Sequence, residues 1–225
     1  MGLKRFTEVP EMEEMINIIE EDGVLVIDNY VPKDVVEKMH DEVLKKCKSK
    51  AGHYPFGRNL KGENLKTFGM KSATSQTFNQ DWMKELYKEY TGKDRGFCSS
   101  ILATWDYIHD KGLGRNGWLH FDRGNCFKYF IYLTDVDEDS GAFTACPGSR
   151  AEGKKLREKA WHNQSNYDVV PNRIEKNYKN LMGKYPEVPI IGKAGTLIIF
   201  DTDCFHKGGE VKKGKSRLVV RAHCT

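Results

Sequence analysis

The stretch WLHFDRG, residues 118–124, sets His120 and Asp122 one residue apart in a run of strand character. Side chains at i and i+2 of a strand point to the same face, so an imidazole nitrogen and a carboxylate oxygen can converge on one point while Phe121 faces the other way. A second histidine, His206, closes GTLIIFDTDCFH and stands at the end of a later strand that could cross the same barrel mouth. Two histidines and one carboxylate make the facial triad of non-haem iron, which leaves three adjacent positions open for a bidentate cosubstrate and dioxygen. Zinc favours a closed or nearly closed tetrahedron, and nothing nearby supplies an obvious fourth ligand. Taken alone, HxD fits equally well two polar residues alternating on a half-exposed strand. Arg217 follows His206 by eleven residues and opens the last strand. There a guanidinium can grip a carboxylate in bidentate fashion, although a surface arginine is the alternative.

Other motifs match by pattern and fail by context. GEVKKGKS, residues 209–216, satisfies the P-loop spacing, but the β-branched run LVVRAHCT follows where a phosphate-holding helix must start. GLGRNG, residues 112–117, satisfies GxGxxG and is followed by WLHFD, so it reads as a turn. DVDEDSG, residues 135–141, resembles a calcium loop with its glycine displaced by one place and Cys146 at the twelfth position, which makes an acidic β-turn the better account. There is no GxSxG, so a serine nucleophile elbow is absent.

The elements that must position these residues divide the chain in two. Apolar residues Met12, Met15, Ile16 and Ile19 follow helical spacing, Gly23 ends that run, and VLVID at 24–28 is strand-like. A second helix follows Pro32 with the stripe Val35, Val36, Met39, Val43 and Leu44, and QDWMKELYKEY at 80–90 predicts a third. Residues 49–80 read as loop with short strands. From residue 96 the runs SSILATWDYI, CFKYFIYLTDV, GAFTACP, GTLIIFDTD and RLVVRAHCT are short, β-rich and separated by glycine-containing turns. The expectation is a single domain over 1–225, mainly β with flanking helices. Helices and loops of 1–95 brace a jelly roll at 96–225, and the polar, partly helical segment 150–187 is inserted as a lid.

Charge and composition exclude other classes. With 36 Lys+Arg against 32 Asp+Glu the net charge is only +4 and the signs are interspersed, so no nucleic-acid partner is expected. No stretch approaches the roughly 18 apolar residues of a membrane span, and the start lacks a leader-like apolar run, so a soluble, cytoplasmic protein is expected. The six cysteines show no CxxC pair and suit reduced core thiols.

The ordered set of DGVLVIDNYVPKDVVEKMHDEV, WLHFD, YLTDVDEDSGAFTACPGSR and GTLIIFDTDCFHKGG leading to Arg217 resembles the phytanoyl-CoA dioxygenase family of iron(II) and 2-oxoglutarate-dependent oxygenases, over most of the chain. The resemblance implies a double-stranded β-helix of cupin-like type, with iron held by His120, Asp122 and His206 and the distal carboxylate of 2-oxoglutarate held by Arg217. It also implies that Lys128, Tyr107 and Trp105, and more weakly Thr134, contact cosubstrate or substrate, although each could equally be packing. The family's PGSH stands here as Pro147-Gly148-Ser149-Arg150, and its acidic residue after the late glycine is replaced at Gly195-Thr196. Family members that halogenate carry a small residue at the carboxylate position, so Asp122 implies hydroxylation of a C–H bond, with succinate and carbon dioxide released. The substrate is expected to be a small polar metabolite. A non-catalytic jelly-roll binding module, or a cupin-type metalloenzyme that does not use 2-oxoglutarate, are the alternatives that Arg217 discriminates.

Overall fold

The computed structural model describes residues 2–54, 57–107, 117–162 and 171–225. The GLGRNG segment falls largely outside them. Strand β1 (Lys4–Phe6) leads into helix α1 (Met12–Glu21), strand β2 (Val24–Ile27) and helix α2 (Lys33–Ser49). Of the residues read at helical spacing, Met15 and Ile19 of α1 and Val36, Met39 and Val43 of α2 are buried, joined by Ile18 and Cys47, while Met12, Ile16, Val35 and Leu44 are partly buried against the same core. Strands β3 (Gly52–Tyr54) and β4 (Gly57–Glu63) follow, then short helices α3 (Leu65–Phe68) and α4 (Ala73–Phe78), helix α5 (Asp81–Thr91) and strand β5 (Ser100–Asp106). The remainder is β6 (Phe127–Tyr132), β7 (Phe143–Ala145), α6 (Arg150–His162), α7 (Ile174–Asn177), β8 (Val188–Ile190), β9 (Leu197–Asp201), β10 (His206–Gly208) and β11 (Arg217–Cys224).

Eight strands form one sheet in the order β1-β2-β9-β6-β11-β5-β4-β3, and β10-β7-β8 form a second. The two sheets face each other as an open jelly roll. Alternation along β11 shows how the layers share it: Leu218, Val220, Ala222 and Cys224 join the core under the helices, while Val219 joins the core between the sheets. The inner core is aromatic, with Phe130, Phe143 and Phe200 within 4.8–5.2 Å of one another by ring centroid.

Residues 49–80 hold more structure than their composition suggests. GRNLKGE has no alternating apolar pattern, yet it pairs with β5 along most of its length, so β4 is specified by its neighbour rather than by its own propensity. Asn64 caps α3 in a reciprocal box with Thr67, and Ser72 caps α4. All six cysteines are free and buried. Among the described residues no helix is long and apolar enough to cross a membrane.

The inserted segment is anchored at both described ends. Helix α6 begins at Arg150, whose Nε donates to Asp201 at 3.1 Å, and Arg157 donates through Nε and Nη2 to Asp203 at 2.6 and 2.8 Å. Gly153 permits this closeness: a Cβ there would lie 1.8 Å from the Asp203 carbonyl oxygen. The Asp203 side chain is 1 % exposed. Arg157→Leu therefore strands a buried carboxylate, and we expect a loss of about 3–5 kcal/mol in urea unfolding. The double variant Arg157→Leu/Asp203→Leu should recover most of that loss, because both charges then leave together.

Candidate metal centre

The two histidines converge because their backbones are paired. His120 N–H donates to the His206 carbonyl at 3.0 Å and His206 N–H to that of His120 at 2.8 Å, which adds residue 120 to the small sheet beside β10. Asp122 is fixed by its own N–H to the Thr202 carbonyl at 2.9 Å. Phe121 points the other way and is fully buried with Leu119, Ile174 and Phe205, a burial worth roughly 1.5–3 kcal/mol. The segment after the described part of α6 supplies the far edge of this strand: Asn172 accepts from Phe121 N–H, and Ile174 N–H donates to Leu119. The inserted segment thus builds the wall that holds the HxD strand in place.

Both imidazoles are oriented for metal binding. His120 Nδ1 lies 2.7 Å from the Trp118 carbonyl oxygen and His206 Nδ1 lies 2.8 Å from that of Cys204. A carbonyl oxygen only accepts, so each Nδ1 carries a proton, and in the neutral ring that leaves Nε2 as the atom with a lone pair to offer a metal. Those lone pairs meet Asp122: its Oδ1 is 3.8 Å from His120 Nε2 and 3.6 Å from His206 Nε2, and the three ligand atoms lie within 4.8 Å of one another. Adjacent donors around one ion, each roughly 2.1 Å from it, stand roughly 3 Å apart, so a shift of less than about 1 Å closes the set. The donor chemistry fits iron(II), with three positions left for other ligands.

Protonation favours the same use. Burial, reinforced by the neighbouring His206, pushes the His120 pKa down to about 3, so the imidazole stays neutral. Burial alone would raise the Asp122 pKa, but Lys128, with help from both histidines, holds it well below the ordinary carboxylate range. Lys128 is 7 % exposed and its Nζ forms an ion pair with Asp122 Oδ2, leaving Oδ1 turned toward the histidines. Phe143 and Phe200 stand 5.7 and 5.2 Å from the His206 ring and give the site an apolar wall.

The other sequence-selected residues are distributed differently. Arg217 lies on the inner face of β11, where Nε and Nη2 donate to Asp106 Oδ2 at 3.1 and 2.7 Å and Nη1 donates to the Gly141 carbonyl. Three of its N–H groups are thereby used. Thr134 accepts from Leu218 N–H at 3.1 Å and so pins the start of β11, a structural task. Trp105 requires a correction. Next to Asp106 on β5, it necessarily faces the opposite side of the sheet, packs on the helix-covered core and carries Lys48 of α2 5.8 Å over its ring. The Tyr107 ring lies tilted against it with centroids 4.6 Å apart. Trp105→Leu should lower the melting temperature while leaving 2-oxoglutarate affinity unchanged within about twofold, as read by anaerobic titration.

Sequence reasoning missed Asp106 as the partner of Arg217, Lys128 as the partner of Asp122, and the placement of Arg221 and His223 on the same face of β11 as Arg217. Alternation in RLVVRAHC puts Arg217, Arg221 and His223 on one face of the last strand, and that was a usable signal.

The model of the phytanoyl-CoA dioxygenase (PhyH) family matches residues 19–219. The chain belongs to the phytanoyl-CoA dioxygenase family. PhyH enzymes are non-haem iron enzymes that use iron(II), 2-oxoglutarate and dioxygen, and His120, Asp122 and His206 are a group in this chain that could hold such a metal. No curated protein sequence matches the chain. Among solved structures, it is similar to the non-heme alpha ketoglutarate-dependent epimerase SnoN of nogalamycin biosynthesis in complex with Fe3+, alpha ketoglutarate and nogalamycin RO, at 13% identity and TM-score 0.68 over 94% of this chain and 82% of that one. The carbocyclase SnoK from the same biosynthesis aligns at 12% identity and TM-score 0.65 over 99% and 86%. AviO1 from Streptomyces viridochromogenes Tue57 aligns at 13% identity and TM-score 0.58 over 97% of both chains. At these identities the likeness is one of fold, and the PhyH jelly roll is that fold.

Proposed function

We propose that this PhyH-family protein hydroxylates an unactivated C–H bond of a small, polar metabolite, coupled to oxidative decarboxylation of 2-oxoglutarate. One atom of dioxygen enters succinate and the other the product alcohol, with carbon dioxide released. The observation that carries the reading is the complete donor set: two lone-pair nitrogens and the Asp122 carboxylate aimed at one point. Iron bound there supplies dioxygen activation. The chain's own residues do the rest.

The carbonyls of Trp118 and Cys204 hold both imidazoles in one tautomer, and Lys128 turns Asp122 so that one oxygen faces the metal. Arg217 anchors the distal carboxylate of 2-oxoglutarate with the N–H groups that Asp106 and Gly141 leave over, since a guanidinium has five. Phe143 and Phe200 keep water from the inner side of the histidines. The six free, buried thiols suit a reducing compartment such as the cytoplasm.

The test is anaerobic addition of iron(II) and 2-oxoglutarate, followed by oxygen-18 labelling in the presence of metabolite pools. A visible charge-transfer band, succinate release and one labelled atom in an alcohol product are expected. Succinate release with no oxygen in the product would move the chemistry to another oxidative outcome, and absence of the band would remove the cosubstrate from the reading.

A further inference from the structure

Arg221 and His223 share the inner face of β11 with Arg217, and among the described residues no hydrogen bond is seen to Arg221 Nε or His223 Nε2. Both atoms are buried. Buried donors in folded proteins are almost always satisfied, so two orphans two residues apart on one face require an account. Arg221 lies opposite Phe130 in β6, and its guanidinium sits 5.5 Å over that ring. His223 lies opposite Lys128, whose Nζ holds the metal ligand Asp122. The pair is therefore one cross-strand step from the triad.

The charge pattern names the missing partner. Of the three cations on this inner surface, Arg217 is paired with Asp106 and Lys128 with Asp122, while Arg221 has no ion pair among the described residues. Burial lowers its pKa to about 10, so it remains a cation at neutral pH. Burial, with Lys128 and Arg221 adding to it, pushes His223 down to about 2, which leaves a neutral imidazole able to donate or accept one hydrogen bond. Arg221 also keeps some exposure as a residue, so the group is not sealed from incoming ligand. A flat guanidinium on an aromatic platform, with a neutral imidazole beside it, suits an oxyanion gripped at two points.

We propose that Arg221 and His223 form a second anion-binding subsite beside the metal, taking a carboxylate or sulfonate group of the primary substrate. This rests on the reading of Arg217 as the cosubstrate anchor. The two guanidines start from Cα positions roughly 13 Å apart along the strand, and only that of Arg217 is engaged with Asp106 and Gly141. The subsite orients the substrate by its charged end and leaves an aliphatic carbon to face the iron.

The test begins with the metal-free full chain, labelled with nitrogen-15 and titrated with acetate and with methanesulfonate while the arginine Nε–H resonances are followed. The resonance that disappears in Arg221→Gln should shift saturably in the wild type. His223→Gln should weaken the probe about tenfold, and Arg217→Lys should leave it unchanged within twofold. If Arg221→Gln does not fold, Arg221→Lys and His223→Gln carry the comparison. No saturable shift, or equal affinity in the Arg221 variants, overturns the subsite. The second arm is anaerobic 2-oxoglutarate titration of the iron(II) protein. A loss of tenfold or more in Arg221→Lys assigns the pair to the cosubstrate's own carboxylate and overturns the substrate assignment. Absence of the charge-transfer band in the wild type refutes the proposed function, whereas the metal-free titration still reports on Arg221.

Discussion

His206→Ala is expected to abolish stable iron(II) binding and to reduce succinate release to background, with the fold intact. The physical reason lies in how the site is built. The backbone hydrogen bonds between residues 120 and 206 do not involve the imidazole, so alanine preserves the pairing that adds the HxD strand to β10. What is lost is one of three donor atoms, together with the Nδ1 contact to the Cys204 carbonyl. Loss of an outer partner of a metal ligand typically weakens binding about 10–100-fold, so loss of the ligand itself should exceed about 100-fold. Equilibrium dialysis against iron(II), with circular dichroism as the fold control, measures it. Iron retained at wild-type affinity would mean that His120 and Asp122 are a decorative pair and that the metal, if any, sits elsewhere.

Arg217 should give the second large effect, and the structure separates its two consequences. The guanidinium is both a candidate anchor and the counter-ion of Asp106, which is 6 % exposed. Arg217→Ala removes both functions and strands a buried carboxylate, so it should cost about 3–5 kcal/mol in stability whatever happens to the cosubstrate. Arg217→Lys is the sharper variant. It keeps a positive charge beside Asp106 but loses the planar fork, so stability should fall less while 2-oxoglutarate affinity drops about tenfold, equivalent to about 1.4 kcal/mol. Anaerobic titration of the charge-transfer band reads the affinity, and urea unfolding of the metal-free chain reads the stability. A lysine variant with unchanged affinity would leave Arg217 a structural ion pair and move the anchor to another residue.

The sequence by itself determined a good deal of this protein. Periodicity located α1, α2 and α5 and the β-rich second half, because each of those elements buries one face and the pattern of apolar residues records which one. It located the HxD pair for the same reason: a two-residue repeat puts His120 and Asp122 on one side whatever the strand packs against. It also dismissed GEVKKGKS correctly, since residues 209–216 connect β10 to β11 and no helix follows. Likewise DVDEDSG is an acidic turn, with Asp137 accepting from Ser140 and paired with Lys215.

Only the tertiary structure decided what meets what. Trp105 and Asp106 are neighbours in sequence and opposites in function, because adjacent strand residues face different layers and the sequence does not say which layer holds the metal. Short strands were expected within residues 49–80, but β4 could not be placed for want of an apolar repeat, and it exists because β5 offers it an edge. Lys128 and Asp122 form an ion pair across the turn between the HxD strand and β6, and Arg217 meets Asp106 across 111 residues of chain. Local pattern fixes the direction of a side chain relative to its own backbone. Partnership depends on register between strands far apart in sequence, and that register is set by the packing of the whole domain.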